Sequence, residues 1–274
     1  MGHWQGQVAV ITGAGSGIGR GLARFALGQG MRVFAADIDT RGLSALGDHA
    51  ELKTFVVDVS DADAVQSFAE QVFIDTGQVN LLFNNAGILV DGKSWERSLE
   101  DWRWGLDVNV MGVVHGIRSF LPRMLEQQAL GRIVNTSSIG GLLGGGPFMA
   151  IYQATKHAIT AMTESLHQEL LLEPAPISAS VLCPGEVDTG IWHSDRHRTE
   201  PSKAMLSEAE AGFREALVAQ VAAGHSPDDF AAMVFAGIDA GQFYLLPGVE
   251  VTVLLRQRVD DIANGRAPAP LFQA

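Results

Sequence analysis

Short apolar runs recur at residues 8–12, 32–37, 54–58, 81–84, 132–137 and 178–183. Runs of this length and composition read as strands buried on both faces. Between them lie longer segments of helical period, at 19–30, 61–77, 99–125 and 151–172. Strands that alternate with helices need right-handed crossovers, which place helices on both faces of a parallel sheet. The predicted architecture is doubly wound α/β. Residues 186–224 break the rhythm: they are polar, carry His-Ser-Asp-Arg-His-Arg-Thr-Glu-Pro-Ser-Lys at 193–203, and resume a helical pattern only at 208–222. This predicts a mobile flap. Ser226-Pro227-Asp228-Asp229 then supplies the cap, first-turn proline and acidic residue that start a helix, with Phe230, Met233, Val234 and Ile238 on one face and Gly241 as its stop. A last strand at 243–246 and an amphipathic helix around Leu255, Val259 and Ile262, within a C-terminal extension at 247–274, close the pattern. No low-complexity linker or repeat interrupts it, so residues 1–274 are expected to form one domain.

Composition narrows the functions without changing the fold. Of 274 residues 47% are hydrophobic and 18% charged, an ordinary globular balance. The net charge of −12 lacks the electrostatic footprint of a nucleic-acid binder, so no nucleic-acid partner is expected. One cysteine, Cys183, permits no internal disulfide and fits a reducing compartment. The first apolar run has no basic segment before it and is too short to span a membrane, so a cytoplasmic location with no membrane partner is expected.

Candidate chemistry begins at Thr12-Gly13-Ala14-Gly15-Ser16-Gly17-Ile18-Gly19, between the first strand and the first helix. Glycines let the backbone approach a pyrophosphate, whose charge the amides and dipole of the helix N-terminus stabilise. A plain strand-to-helix turn is the competing explanation. Asp37 favours the dinucleotide, because it ends the second strand 18 residues after Gly19, where an acidic residue would bond an adenosine ribose. Its carboxylate would repel a 2′-phosphate, and neither Ser16 nor Ile38 offers a cation, which points to NAD; Arg41 is the one residue that argues against it. Asp37 could instead cap the next helix, although Asp39 can do the same. Asp58-Val59 and Asn84-Asn85-Ala86-Gly87 lie at the carboxyl edge of the sheet, where Asp58 could bond an adenine amino group and Asn85, Ala86 and Gly87 could line the ribose.

Tyr152 is followed four positions later by Lys156, so both share one helix face. A neighbouring ammonium stabilises a phenolate. Bringing a tyrosine from about 10 to a working value near 7 takes about 4 kcal/mol, which Lys156 and a positive nicotinamide ring could supply together. Ser138 follows the fifth strand and could meet Tyr152 across the mouth of a site. Asn109, a polar residue amid valines, reads as an inward amide that holds a water chain, or as a satisfied buried asparagine.

Taken in order, Thr12-Gly13-x-x-x-Gly17-x-Gly19, Asn84-Asn85-Ala86-Gly87, Asn109, Ser138, Tyr152-x-x-x-Lys156 and Cys183-Pro184-Gly185-x-Val187-x-Thr189 resemble the short-chain dehydrogenase/reductase family. The resemblance spans residues 7 to about 190, with a less specific continuation to about 246. It implies a Rossmann fold with seven parallel strands and an Asn-Ser-Tyr-Lys tetrad. Tyr152 would be the general acid/base and Lys156 would hold the nicotinamide ribose and lower the tyrosine pKa. Ser138 would position the carbonyl and Asn109 support a proton relay. Gly13, Ser16, Gly17, Ile18, Gly19, Pro184, Gly185, Val187 and Thr189 would contact the coenzyme. The implied activity is an NAD-dependent alcohol dehydrogenase or ketone reductase, expected as a homodimer or homotetramer paired through 99–125 and 151–172.

Ser138 lies 14 residues before Tyr152, one more than the family's usual spacing, which leaves Ser137 as an alternative hydroxyl. The segments that would surround the nicotinamide are mostly apolar: Leu142, Leu143, Pro147, Phe148 and Met149, with Ile191, Trp192 and Met205 in the flap. They favour aromatic or alicyclic secondary alcohols and ketones. A dihydrodiol or 3-hydroxyacyl substrate is the alternative within the family, Arg196 or Arg198 could clamp an acidic group, and a non-catalytic NAD-binding regulator is the alternative outside it. His193 and His197 have zinc-like spacing without a carboxylate partner and read as flap residues, so no metal is expected. Cys183, Trp95, Trp102 and Trp104 read as packing residues.

Overall fold

The computed structural model describes residues 3–144, 146–198, 206–248 and 251–268. Seven strands form one sheet: β1 (Val8–Thr12), β2 (Arg32–Asp37), β3 (Leu52–Val56), β4 (Leu81–Asn84), β5 (Gly131–Thr136), β6 (Ile177–Leu182) and β7 (Tyr244–Leu245). All neighbours are parallel, in the order β3-β2-β1-β4-β5-β6-β7. The order reverses between β1 and β4, and that switch point opens a crevice beyond the carboxyl ends of the strands. The doubly wound parallel seven-stranded fold is therefore the one the sequence predicts.

The continuous apolar runs are explained by burial on both faces. In β1, Ala9 and Ile11 face one core, packed with Leu22 of α1 (Gly17–Gly28) and, from farther along the chain, Phe230 and Phe235. Val8 and Val10 face the other, with Phe34, Leu82 and Phe120. Each Phe buried in these layers contributes roughly 2–3 kcal/mol.

The remaining helices are α2 (Thr40–Ser44), α3 (Ala62–Thr76), α4 (Leu99–Leu106), α5 (Gly112–Glu126), α6 (Ala150–Leu170), α7 (Glu208–Ala222), α8 (Pro227–Asp239) and α9 (Thr252–Ala263). The Asp61 side chain accepts from the Asp63 and Ala64 amides to start α3, and Gly77 ends it at φ 70°. Ser226 caps α8 as predicted, accepting from Asp229 N.

Three local expectations are corrected. β3 runs two residues earlier than 54–58, because as an edge strand it is half exposed, and after Val57 N donates to Asp37 O the chain turns at Asp58. The helix expected over 99–125 is two helices joined by a wide π turn, Asp107–Met111, centred on Asn109. The flap begins with a 3₁₀ turn, Gly190–His197, where no helical period was legible. α9 forms where the sequence places it, with Leu255 half-buried and Val259 and Ile262 exposed.

Candidate active site

The crevice is built first by Thr12. Its hydroxyl accepts from Asn85 N at 2.9 Å and Ala86 N at 3.1 Å, and Asn85 Nδ2 donates to Thr12 O at 3.0 Å. These bonds tie the turn after β4 to the loop after β1. The approach is so close that a Cβ on Gly13, at φ +68°, would lie 2.7 Å from Ala86 Cα. Gly19 packs under Gly13 for the same reason. Asn84 turns inward, away from the crevice, and donates to Asn135 Oδ1.

Ser16 precedes the first turn of α1 without using its side chain as a cap, which leaves its hydroxyl and the first amides free for an anion. Asp37 accepts from Gly15 N at 2.7 Å and from Asp39 N at 2.8 Å. Asp39, not Asp37, caps α2, through Arg41 N. Arg41 is exposed and lies outside the cavity wall; Arg196 and His197 of the flap do reach the wall near Asp37, and because burial lowers the His197 imidazole, Arg196 is the cation of the two. A glycine cradle, an unused N-cap hydroxyl and a carboxylate at the end of β2 together fit a dinucleotide.

The crevice encloses about 540 Å³. Asp37, Asp58 and Val59 mark one end, and Ser138, Tyr152 and Lys156 stand at the other, with Asn85–Gly87 and Pro184–Thr189 between them. Lys156 Nζ donates to Thr136 O at 2.9 Å and lies 5.6 Å from the centre of the Tyr152 ring. Burial brings its ammonium down to about 8. Burial also pushes the Tyr152 phenol above its ordinary value, opposed by a hydrogen bond from Ser138. In the chain alone desolvation sets the direction, and Lys156 Nζ donates to a carbonyl instead of to the phenol. Cys183, whose thiol burial pushes up to about 12, is neutral and adds no charge.

Ser137 Oγ donates to Lys156 O at 2.8 Å and shares a hydrogen bond with Thr160 Oγ1, so it is committed to fixing α6 against β5. Ser138 is the hydroxyl beside Tyr152. Asn109 lies behind the crevice wall: Oδ1 accepts from Ile88 N, and Nδ2 donates to Ile88 O and Thr155 Oγ1. It retains one acceptor position on Oδ1.

Of the apolar residues expected around the substrate, Leu143, Met149, Ile191 and Trp192 line the cavity. Leu142, Pro147 and Phe148 do not. Phe148 adopts φ 62° and turns its ring edge-on to Phe213, 5.5 Å away. Met205 lies outside the described residues. Sequence reading missed Ile88, Leu89, Trp104, Val108, Gln153, Leu217 and Val221, which complete the wall. Only Gln153, next to Tyr152, had a signal in its position.

The flap is tied down by polar contacts. Ser194 Oγ accepts from Leu89 N at 3.0 Å. Arg198 pairs with buried Asp101 at 2.6 Å and stacks 4.0 Å over Trp104, which removes it as a clamp for an acidic substrate. Glu210 accepts from Lys93 N, and Arg214 Nε donates to buried Asp91 at 2.8 Å. Asp91→Asn should therefore loosen α7 and raise KM for the substrate about threefold to tenfold, while coenzyme affinity, set at the other end, changes less than twofold. Equal weakening of both would show that α7 does not act on the substrate side alone. Among the described residues no cluster of His, Cys, Asp or Glu could hold a metal, and no helix is long and apolar enough to cross a membrane.

Residues 7–200 match the family model described as short chain dehydrogenase. The chain belongs to the short-chain dehydrogenase/reductase family of oxidoreductases. It is 32% identical to a CLA biosynthesis dehydrogenase/reductase of Lactiplantibacillus plantarum, over 98% of this chain and 97% of that one. It is also 32% identical to a 1-deoxy-11-beta-hydroxypentalenate dehydrogenase of Streptomyces arenae, over 95% and 89%. Among solved structures, a short chain dehydrogenase/reductase from Burkholderia phymatum in complex with NAD superposes with a TM-score of 0.95 at 38% identity, over 100% of both chains.

Proposed function

We propose that this chain is an NAD-dependent oxidoreductase that interconverts a hydrophobic secondary alcohol and its ketone. The observation that carries this reading is the meeting of Ser138, Tyr152 and Lys156 at one end of a crevice whose other end is a glycine cradle closed by Asp37. The NAD-bound Burkholderia relative supports the coenzyme. The Gly13–Gly19 cradle, Asp37 and Lys156 would hold NAD, whose nicotinamide would supply hydride transfer to or from the carbinol carbon. Ser138 orients the substrate oxygen, and Tyr152 takes the hydroxyl proton during oxidation and returns it during reduction. Lys156 holds positive charge beside the ring, which favours the phenolate at the moment of transfer. Asn109 keeps the Gly87–Ile88 turn in place, and its remaining acceptor position can take part in a proton path.

The walls around the reacting end, among them Leu89, Trp104, Leu143, Met149 and Trp192, are apolar. Burying about 100 Å² of a ring or chain against them gains about 2.5 kcal/mol, which short polar alcohols do not recover. With Arg198 engaged by Asp101 and Arg196 donating to Gly190 O and His193 O, no described residue offers an acidic substrate group a free cation there. The test is a screen of secondary alcohols with NAD, followed at the NADH absorbance; bulky aromatic or alicyclic members should have the higher kcat/KM. We further propose that the chain works as a homo-oligomer, since Leu99, Leu106 and Met111 are exposed along α4 and the π turn that follows it.

Asp37 should make NAD better than NADP by at least tenfold in kcat/KM, or about 1.4 kcal/mol. Asp37→Ala should narrow that gap, chiefly by improving NADP. Equal use of both coenzymes by the wild type would mean that Arg196 neutralises the 2′-phosphate across the crevice.

A further inference from the structure

We infer that Gln153 selects substrates carrying a second, neutral oxygen near the carbinol carbon, as in an α-hydroxy ketone or a vicinal diol. The inference rests on the secondary-alcohol reading and narrows its substrate class. Gln153 follows Tyr152 on α6 and lines the same cavity. Its place relative to the reacting groups is marked by Gly140. A Cβ there would lie 3.5 Å from Ser138 Oγ, 3.7 Å from Gln153 Cγ and 3.8 Å from Tyr152 Cε1, so the stem of Gln153 starts beside the Ser138 hydroxyl and the Tyr152 ring. The carboxamide extends into a notch left by Gly146, where a Cβ would lie 2.9 Å from Nε2. The lengthened, glycine-rich segment between Ser138 and Tyr152 thus makes room for this side chain.

The Gln153 backbone is satisfied, with its N–H donating to Met149 O at 2.8 Å and its carbonyl accepting from His157 Nδ1 at 2.9 Å. Its carboxamide has no hydrogen-bond partner among the described residues. A primary amide offers donors and an acceptor without charge, so it pairs with a hydroxyl or carbonyl equally well. Apart from the Ser138 and Tyr152 hydroxyls that take the reacting oxygen, the wall at this end is largely apolar, with Leu143 and Met149, so a substrate that displaces water from the amide without replacing its hydrogen bonds leaves a polar group unpaired. Among the described residues the cations of the cavity wall are engaged: Lys156 donates to Thr136 O, and Arg196, toward Asp37, donates to Gly190 O and His193 O. A neutral oxygen is the partner this end of the cavity accommodates.

The test compares two matched ketone pairs reduced with NADH, 2-hydroxyacetophenone against propiophenone and 2-hydroxycyclohexanone against 2-methylcyclohexanone, in the wild type and in Gln153→Met. The α-hydroxyl activates the carbonyl equally for both proteins, so only the change in the kcat/KM ratio reports on Gln153. In the variant the hydroxy-to-alkyl ratio should fall about tenfold, and NADH affinity, measured by fluorescence titration, should stay within twofold and shows that the variant is folded. A ratio that moves less than twofold, with both ketones still reduced, overturns the inference and leaves the secondary-alcohol reading intact. Reduction of none of the four by a wild type that binds NADH overturns both.

Discussion

Tyr152→Phe should lower kcat by at least 10², roughly the minimum for losing general acid/base catalysis, while NADH affinity stays within twofold. The substitution keeps the ring that packs beside Lys156 and removes only the hydroxyl that Ser138 bonds. Phenylalanine can neither accept the proton of an alcohol nor return one to a ketone, and Ser137, the nearest other hydroxyl in sequence to Ser138, is held by Lys156 O and Thr160. Because burial raises the Tyr152 phenol, the residue is protonated at neutral pH in the chain alone, ready to act as an acid. The wild type should therefore reduce ketones best on the acid side and oxidise alcohols better as pH rises. A Tyr152→Phe variant with near-normal turnover, or one whose pH profile matches the wild type, would sink the assignment of Tyr152 as the proton carrier.

The parts of the molecule legible in the sequence were those whose constraints are local. β1 and β4 are apolar up to their last residues, Thr12 and Asn84, because both faces are buried, and that needs no knowledge of their neighbours. Glycines 13, 17 and 19 are recognisable because a backbone approach admits no side chain. β3 was misplaced by two residues because an edge strand has only one covered face, and its pattern of partly exposed residues carries little period. The break between α4 and α5 was invisible because Val108 and Val110 flank Asn109 with helix-compatible spacing. What opens the helix there is the set of bonds from Asn109 to Ile88 and Thr155, residues distant in sequence. The cavity wall was the least legible. Leu89, Trp104 and Leu217 meet only because the flap folds back and is held by Ser194, Arg198 and Arg214. Phe148 was misread because its positive φ turns the ring toward Phe213, away from the substrate.

Lys156→Met should abolish most turnover, by 10² or more, and yet give a more stable protein at neutral pH. The wild-type ammonium is almost fully buried, and its pKa of about 8 lies below the 10.5 of an ordinary lysine. Between these values the unfolded chain binds a proton that the native chain has released, so stability rises with pH across that window. Below about pH 8 both states are protonated and the full cost of burying the charge is present. At 1.36 kcal/mol per unit that cost is about 3 kcal/mol. Methionine removes it and preserves most of the aliphatic packing, but leaves Thr136 O without the ammonium, a loss of about 1 kcal/mol. A net gain of about 2 kcal/mol at pH 7 follows, and it should shrink toward zero by pH 10 as the wild-type lysine sheds its proton on its own. Denaturant titrations at pH 7 and pH 9.5, run on the coenzyme-free proteins, measure this difference. A variant less stable than the wild type by the same amount at both pH values would mean that Lys156 is a structural anchor for α6. A stability gain coupled to lost turnover would instead mark it as a charge kept in the core for its effect on Tyr152 and the coenzyme, at the expense of the fold.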